Sequence, residues 1–233
     1  MSILVEDPTL PDPLQAADAA VGVDLGLTAF AVLSTGQPVA NPRHERRDRR
    51  RLARAQRDLS RKQKGSNNRY KVARKVARIH ARIVDRRRDH LHKLSTRLIR
   101  ENQTVVVEDL NVAGMVSNHS LARSISDAAW GELVRQLEYK AAWYGRILVK
   151  VDRWYPSSKR CSDCGWIIHD LPLDVREWTC ENCRVVHDRD HNAARNVLAA
   201  GLAVTACGEG VRPPQRTAGN ATLVETGTST REG

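Results

Sequence analysis

Three consecutive β-branched apolar residues, Val105-Val106-Val107, run directly into two acids, Glu108 and Asp109. A run of that kind is a strand buried on both faces, so it calls for a parallel or mixed sheet covered by helices, an α/β architecture. A carboxylate at the end of such a strand is costly to desolvate unless it is exposed, hydrogen-bonded or bound to a cation. The chain has 233 residues, 41% of them hydrophobic, enough for one full domain and a smaller module.

The flanking sequence alternates as an α/β layout requires. Val21 to Leu25 and Thr28 to Leu33 form apolar runs joined by a Gly-containing turn and closed by Thr35-Gly36, which predicts a strand pair. Ser126 is placed to cap a helix with Leu133, Leu137, Ala141 and Tyr144 on one face, ending at Gly145. Ile147 to Asp152 continues as a strand, and residues 191–203 are rich in good helix formers. The organisation expected is an acidic leader over 1–20, a main domain over 21–156 and 185–203, a small module at 157–184 and a flexible tail over 204–233.

Charge is concentrated in one segment. Residues 43–100 hold 23 Lys and Arg against 5 acids, a local +18 within a total of +11, which leaves the rest of the chain at −7 (11 − 18). Val72, Val76, Ile79 and Ile83, then Leu91, Leu94 and Leu98, step by threes and fours, and "KGSNNR" at 64–69 breaks the pattern. Two basic helices in a hairpin follow, over about 45–64 and 69–100. A solvated helix face usually mixes its charges. Here Arg46, Arg47, Arg50, Arg51, Arg54, Arg57 and Arg61, with Lys62, Lys64, Lys71, Arg74 and Lys75, repel one another unless a polyanion neutralises them, so nucleic acid is the expected partner.

Four of the five cysteines form two C-x-x-C pairs, Cys161/Cys164 and Cys180/Cys183, with 15 residues between them. Two such knuckles bring four thiolates to one tetrahedron, the pattern of a structural zinc ribbon, and a closed four-thiolate shell leaves no open position for catalysis. A redox pair or disulfide would account for one C-x-x-C at a time. Cys207 is left over as a free thiol.

Further acids stand at other element edges: Asp24 in "VGVDLG", and Asp188 and Asp190 in "HDRDHNAARN". If these edges adjoin that of the Val105 strand, three carboxylates converge, and divalent cations are needed to hold them together. Each acid also has a plainer role: Asp190 as an N-cap, Asp109 in the turn "DLNVAG", Asp24 in a tight turn. The residues alone leave Glu108 against Asp109, and Asp190 against Asp188, undecided.

The motifs "VGVDLGLTAFAVLSTG", "VVVEDLNVAGM", "ARSISDAAWGELVRQLEYKAAWYG", "WYPSSKRCSDCG" and "HDRDHNAARNVLAAGL" occur in this order. In that order they resemble the TnpB-type (OrfB) transposases of insertion sequences, relatives of type V CRISPR effectors. The resemblance covers Val21 onward. It implies a ribonuclease H-like, RuvC-like mixed sheet with an inserted basic helical hairpin and a carboxy-terminal zinc ribbon. It also implies that Asp24, Glu108 and Asp190 ligate two Mg²⁺ or Mn²⁺ ions and cut DNA under the direction of a transposon-derived guide RNA. Arg184 stands where the family usually has Gly after the second C-x-x-C. Family members carry guide- and target-binding domains before the first nuclease strand, so a chain with about twenty residues there corresponds to their nuclease half.

The non-enzymatic alternative is a zinc-ribbon protein, or a relict nuclease acting as a repressor, that binds nucleic acid without cutting. "HLH" at His90 to His92 resembles the His pair of tyrosine transposases, but that pair needs a strand, and in a helix residues two apart face apart. The leader lacks the basic start of a signal peptide, and no apolar run is long enough to span a membrane, so a cytoplasmic location is expected.

Overall fold

The computed structural model describes residues 19–206. The leader before residue 19 and the tail from Cys207 on lie outside the described residues. The elements are β1 (Ala20–Leu25), β2 (Ala29–Leu33), β3 (Pro38–Ala40), α1 (His44–Ser60), α2 (Asn67–Glu101), β4 (Thr104–Glu108), α3 (Val112–Val116), α4 (Ala122–Ala128), α5 (Trp130–Tyr144), β5 (Ile147–Val151), β6 (Glu177–Thr179), β7 (Val186–Asp188) and α6 (Arg189–Ala206).

β1 to β5 form one sheet in the order β3-β2-β1-β4-β5. β3, β2 and β1 are antiparallel neighbours, whereas β1, β4 and β5 run parallel. This is the ribonuclease H-like mixed sheet that the sequence motifs imply. The valine run is covered on both faces, as its composition requires. Val105 and Val107 pack with Leu91, Leu94 and Leu98 of α2, Ile125 of α4, and Leu133 and Leu137 of α5. Val106 faces the other way, into a cluster with Val149, Val151 and Val197 of α6.

Helix α6 lies unusually close to the sheet. A Cβ on Gly22 of β1 would stand 2.2 Å from the Ala194 carbonyl oxygen, and one on Gly201 of α6 would stand 2.4 Å from Val106 Cγ1. Two glycines, one on the strand and one on the helix, let the helix seat directly on β1 and β4.

The basic segment forms the hairpin expected, α1 and α2, joined through a turn at Gly65 (φ 81°) and packed by Leu52, Ala55, Ile79 and Ile83. Ser66 caps α2 by accepting from the Arg69 amide at 3.2 Å. One expected helix is divided. Ala129 is left-handed (φ 54°), ending α4 and starting α5, so Ser126 lies inside α4 and is no cap. The break turns Asp127 toward α1 and α2, where its carboxylate accepts from the Glu45 amide at 3.0 Å and from Arg87 at 2.8 Å. At the other end of α5, Gly145 closes the helix with φ 64°.

Candidate metal and nucleic-acid site

The register that pairs Val23 with Val107 sets Asp24 level with Glu108 at the carboxyl ends of two adjacent parallel strands. Because α6 seats on β1 at Gly22, its first turn brings Asp190 to the same edge. The convergence is felt electrostatically. Burial, then the charges of Glu108 and Asp190, push the Asp24 carboxyl up to about 8, against a smaller opposing effect of Arg189. Burial also raises Glu108, although the Ser157 hydroxyl donates to it.

The acids left undecided by sequence differ in their partners. Asp188 caps α6, accepting from the His191 amide at 2.8 Å, which leaves Asp190 free of that duty. Asp109 pairs with Arg153, and the turn after it is capped by Asn111, which accepts from the Gly114 amide at 3.0 Å. Glu108 and Asp190 act on Asp24 more strongly than Asp188, whose charge raises it to a smaller extent. The three carboxylates are more widely spread than a single-ion cluster, since they are not among the groups whose ligand atoms all lie within 4.8 Å of one another.

Two participants carry no signal in the one-dimensional pattern. Arg176 points its guanidinium at Asp190, Nη1 to Oδ1 3.3 Å, and donates from Nη2 to the Thr28 hydroxyl at 3.3 Å. It is held there by Arg189, whose Nη1 donates to the Pro172 carbonyl at 2.6 Å and whose amide donates to the Arg176 carbonyl at 2.7 Å. Ser157, the partner of Glu108, is fixed by Asn196, which donates to the Ser157 carbonyl at 2.8 Å.

The two cysteine knuckles are built alike. The Cys161 amide donates to the Trp166 carbonyl and the Gly165 amide to the Cys161 carbonyl; Cys180 pairs with Val185, and Arg184 with Cys180, in the same way. Gly165 and Arg184 occupy the equivalent left-handed position, φ 78° and 63°, so the arginine completes the turn at a steric cost that glycine avoids. The four Sγ atoms lie within 4.8 Å of one another. Cys161–Cys183 and Cys164–Cys180 are each 3.6 Å apart. A tetrahedron with Zn–S near 2.3 Å has an edge of about 3.8 Å, so these four cysteines could hold a zinc ion. Without a cation the thiols cannot all ionise. Hydrogen bonds from the Asn182 side chain and the Trp166 amide hold Cys164 down at about 6. Cys183, despite the Val185 amide, is pushed up to about 12 by burial and its thiol neighbours. Asn192 fastens this module to the acids, accepting from the Ser162 amide at 2.9 Å and donating to the Arg160 carbonyl at 2.7 Å. The hairpin carrying Cys180 and Cys183 continues through β7 to Asp188.

Along the basic hairpin, Arg46, Arg47, Arg50, Arg51, Arg54, Arg61, Lys64, Lys71, Arg74 and Lys75 are exposed. Arg57 folds back on the Ala53 carbonyl at 3.4 Å, Lys62 pairs with Asp58 at 3.4 Å, and Arg74 lies 5.9 Å from the centre of the Tyr70 ring. Arg69, Arg86 and Arg87 are structural instead: Arg69 caps the end of α1 at the Leu59 carbonyl, and the other two pair with Asp48 and Asp127. His90 and His92 lie on α2. His90 packs against Phe30, with ring centres 5.3 Å apart, whereas His92 is exposed, so they form no pair.

With this geometry in view, the comparisons with known proteins are decisive for kinship. The family model OrfB_IS605, described as "Probable transposase", matches residues 2–119, half of the chain. The chain belongs to the OrfB_IS605 family. A second model, "Cas12f1-like, TNB domain", matches residues 130–197, which include both cysteine pairs and Asp190. A relative from Streptomyces pristinaespiralis, "Putative RNA-guided DNA endonuclease", is 65% identical over 213 residues, 91% of this chain and 52% of its own. InsQ of Escherichia coli K12, which carries the same description, is 39% identical over 215 residues, 86% of this chain and 53% of its own. This OrfB_IS605 chain thus spans about half the length of the curated relatives it matches. A solved Cas12f1–sgRNA–target DNA complex contains a protein with the same fold, at a TM-score of 0.57 and 18% identity over 85% of this chain and 52% of that one. Among the described residues, no helix is long and apolar enough to cross a membrane.

Proposed function

We propose that this chain is the nuclease portion of a transposon-encoded, RNA-guided DNA endonuclease, and that Asp24, Glu108 and Asp190 hold two Mg²⁺ or Mn²⁺ ions at its RuvC-like centre. The observation that carries the reading is the meeting of three acids, remote in sequence, at one sheet edge, where burial and the neighbouring carboxylates raise Asp24 to about 8. Held by these three residues, the ions would supply an activated water and would stabilise the leaving oxygen of an in-line phosphodiester displacement. The chain's own contribution is positional. Adjacent strands fix Asp24 and Glu108, the Ser157 hydroxyl orients Glu108, and α6 delivers Asp190. Arg176 neutralises Asp190 and sets a guanidinium where a scissile phosphate would enter.

Cys161, Cys164, Cys180 and Cys183 hold one structural zinc in this reading. The exposed face of α1 and α2 binds nucleic acid through phosphates, and the names of the relatives support DNA as substrate and a guide RNA as partner.

The test is cleavage of target DNA in Mg²⁺, with transposon-end RNA in one arm and a relative's amino-terminal half added in another. Asp24→Ala, Glu108→Ala and Asp190→Ala should each lower cleavage on the order of a thousandfold while nucleic-acid binding persists, and double replacements should cost little more than single ones. Cleavage indifferent to these changes would remove the triad from the mechanism. Binding without cleavage in every arm would favour the non-cutting alternative.

A further inference from the structure

A cavity of about 860 Å³ opens between the β1–β2 turn, the start of α1 and the α3–α4 loop with the first turn of α4. It is within the size range of small-molecule and cofactor pockets, about 300–1,000 Å³. Arg43, Arg46 and Arg49 line one wall, and Arg123 and His119 the other. The acids on its wall are already occupied. Asp127 is held by Arg87 and the Glu45 amide, while Glu45 lies 4.0 Å from Arg49. Arg43, Arg46 and Arg123 have no side-chain partner among the described residues, so three guanidinium groups line a recess whose two acids are already engaged by other arginines. Such a cluster is stable next to phosphates and repels itself otherwise.

The apolar part of the lining, Leu27 and Leu121, gives bases a surface to lie against, the second requirement of a single-strand site. A recess of this size admits a few nucleotides of one strand and excludes a duplex. It also leads toward the acids: Thr28 lines the cavity and accepts from Arg176, and Arg176 reaches Asp190.

We propose that this cavity binds the backbone of single-stranded DNA and delivers that strand to Asp24, Glu108 and Asp190. It is a site distinct from the outer face of the basic hairpin, and two of its arginines, Arg43 and Arg123, lie outside the set the sequence pattern picks out. The identity of the strand rests on the nuclease reading above, so the test reads binding without turnover and the two can fail separately.

The full chain is titrated with a fluorescent six-nucleotide DNA in buffer without added magnesium or manganese, and anisotropy is followed across a salt series. Arg43→Gln with Arg123→Gln should weaken binding at least tenfold and flatten the salt slope by about 1.4, two lost contacts at 0.7 each. Arg97→Gln with Arg100→Gln removes the same charge from the far end of α2 and should leave the titration unchanged. Photocrosslinking of a 5-iodouracil oligonucleotide to the unaltered chain should mark the segment 119–124. Equal weakening by both pairs, or crosslinks only elsewhere, would overturn the proposal. Tighter binding of six-nucleotide RNA than of DNA would overturn the assignment of the strand.

Discussion

Gly22→Ala is the smallest change that should separate the sheet from the helix that completes the site. The added Cβ would lie 2.2 Å from the Ala194 carbonyl oxygen, 2.7 Å from the Leu198 amide nitrogen and 2.8 Å from Leu198 Cβ. Ordinary contact begins at 3.4 Å, so α6 must lift by about 1.2 Å (3.4 − 2.2). Replacing a strand glycine by alanine stabilises by about 0.5–1 kcal/mol through the unfolded chain, whereas overpacking costs about 1–3 kcal/mol. The obstacle here is helix backbone, which cannot rotate aside, so the upper end applies and the net loss should be about 2 kcal/mol. Urea unfolding measures it. Gly201→Ala offers the contrast, because its obstacle is the Val106 side chain, and adding Val106→Ala should recover part of that loss. The same lift moves Asp190 from Asp24, so cation-induced stabilisation should weaken in Gly22→Ala. A Gly22→Ala protein within about 0.5 kcal/mol of its parent would refute the close seating of α6.

Other consequences are as direct. Arg184→Gly should stabilise the second knuckle by about 1 kcal/mol, read as slower zinc release to a chromogenic chelator, because glycine adopts φ 63° without strain. Cys180→Ser should abolish stoichiometric zinc in elemental analysis and, through the Asn192 contacts to the first knuckle, weaken cation binding at Asp190. Asp24 has a folded-state pKa raised from 3.8 to about 8, so the unfolded chain releases its proton first, and cation-free stability should fall as pH rises between those values. Melting temperatures at pH 5 and pH 8 should show that decline, with Mg²⁺ reversing it and Asp24→Asn flattening it.

What the sequence made legible were features set by local chemistry. The valine run announced a doubly covered strand, the three-and-four spacing of Ile79, Ile83, Leu91 and Leu94 announced α2, and Gly145 marked a helix end. The paired cysteines announced their cluster before any geometry was known. The features that stayed hidden depend on partners far along the chain. Ala129 adopts a left-handed turn that alanine does not favour, in a segment anchored by the Asp127 contacts to α1 and α2. Arg176 looks like any exposed arginine until Arg189 folds its loop against Asp190. Gly22 resembles an ordinary strand residue until α6 arrives above it. At Gly26, in the turn after β1, an added Cβ would meet only the Ala29 carbonyl oxygen, at 3.1 Å.

The order of strands in the sheet has a consequence for how the molecule is made. β1 leaves the ribosome well before its partners, since its parallel neighbour β4 begins at Thr104 and its covering helix α6 at Arg189. The α1–α2 hairpin, by contrast, closes through contacts between segments adjacent in the chain, which form fastest. During translation the basic hairpin is therefore finished while the acidic edge still lacks Asp190. On the function proposed above, a nascent chain would bind nucleic acid before it could cut it, because the third carboxylate arrives with α6.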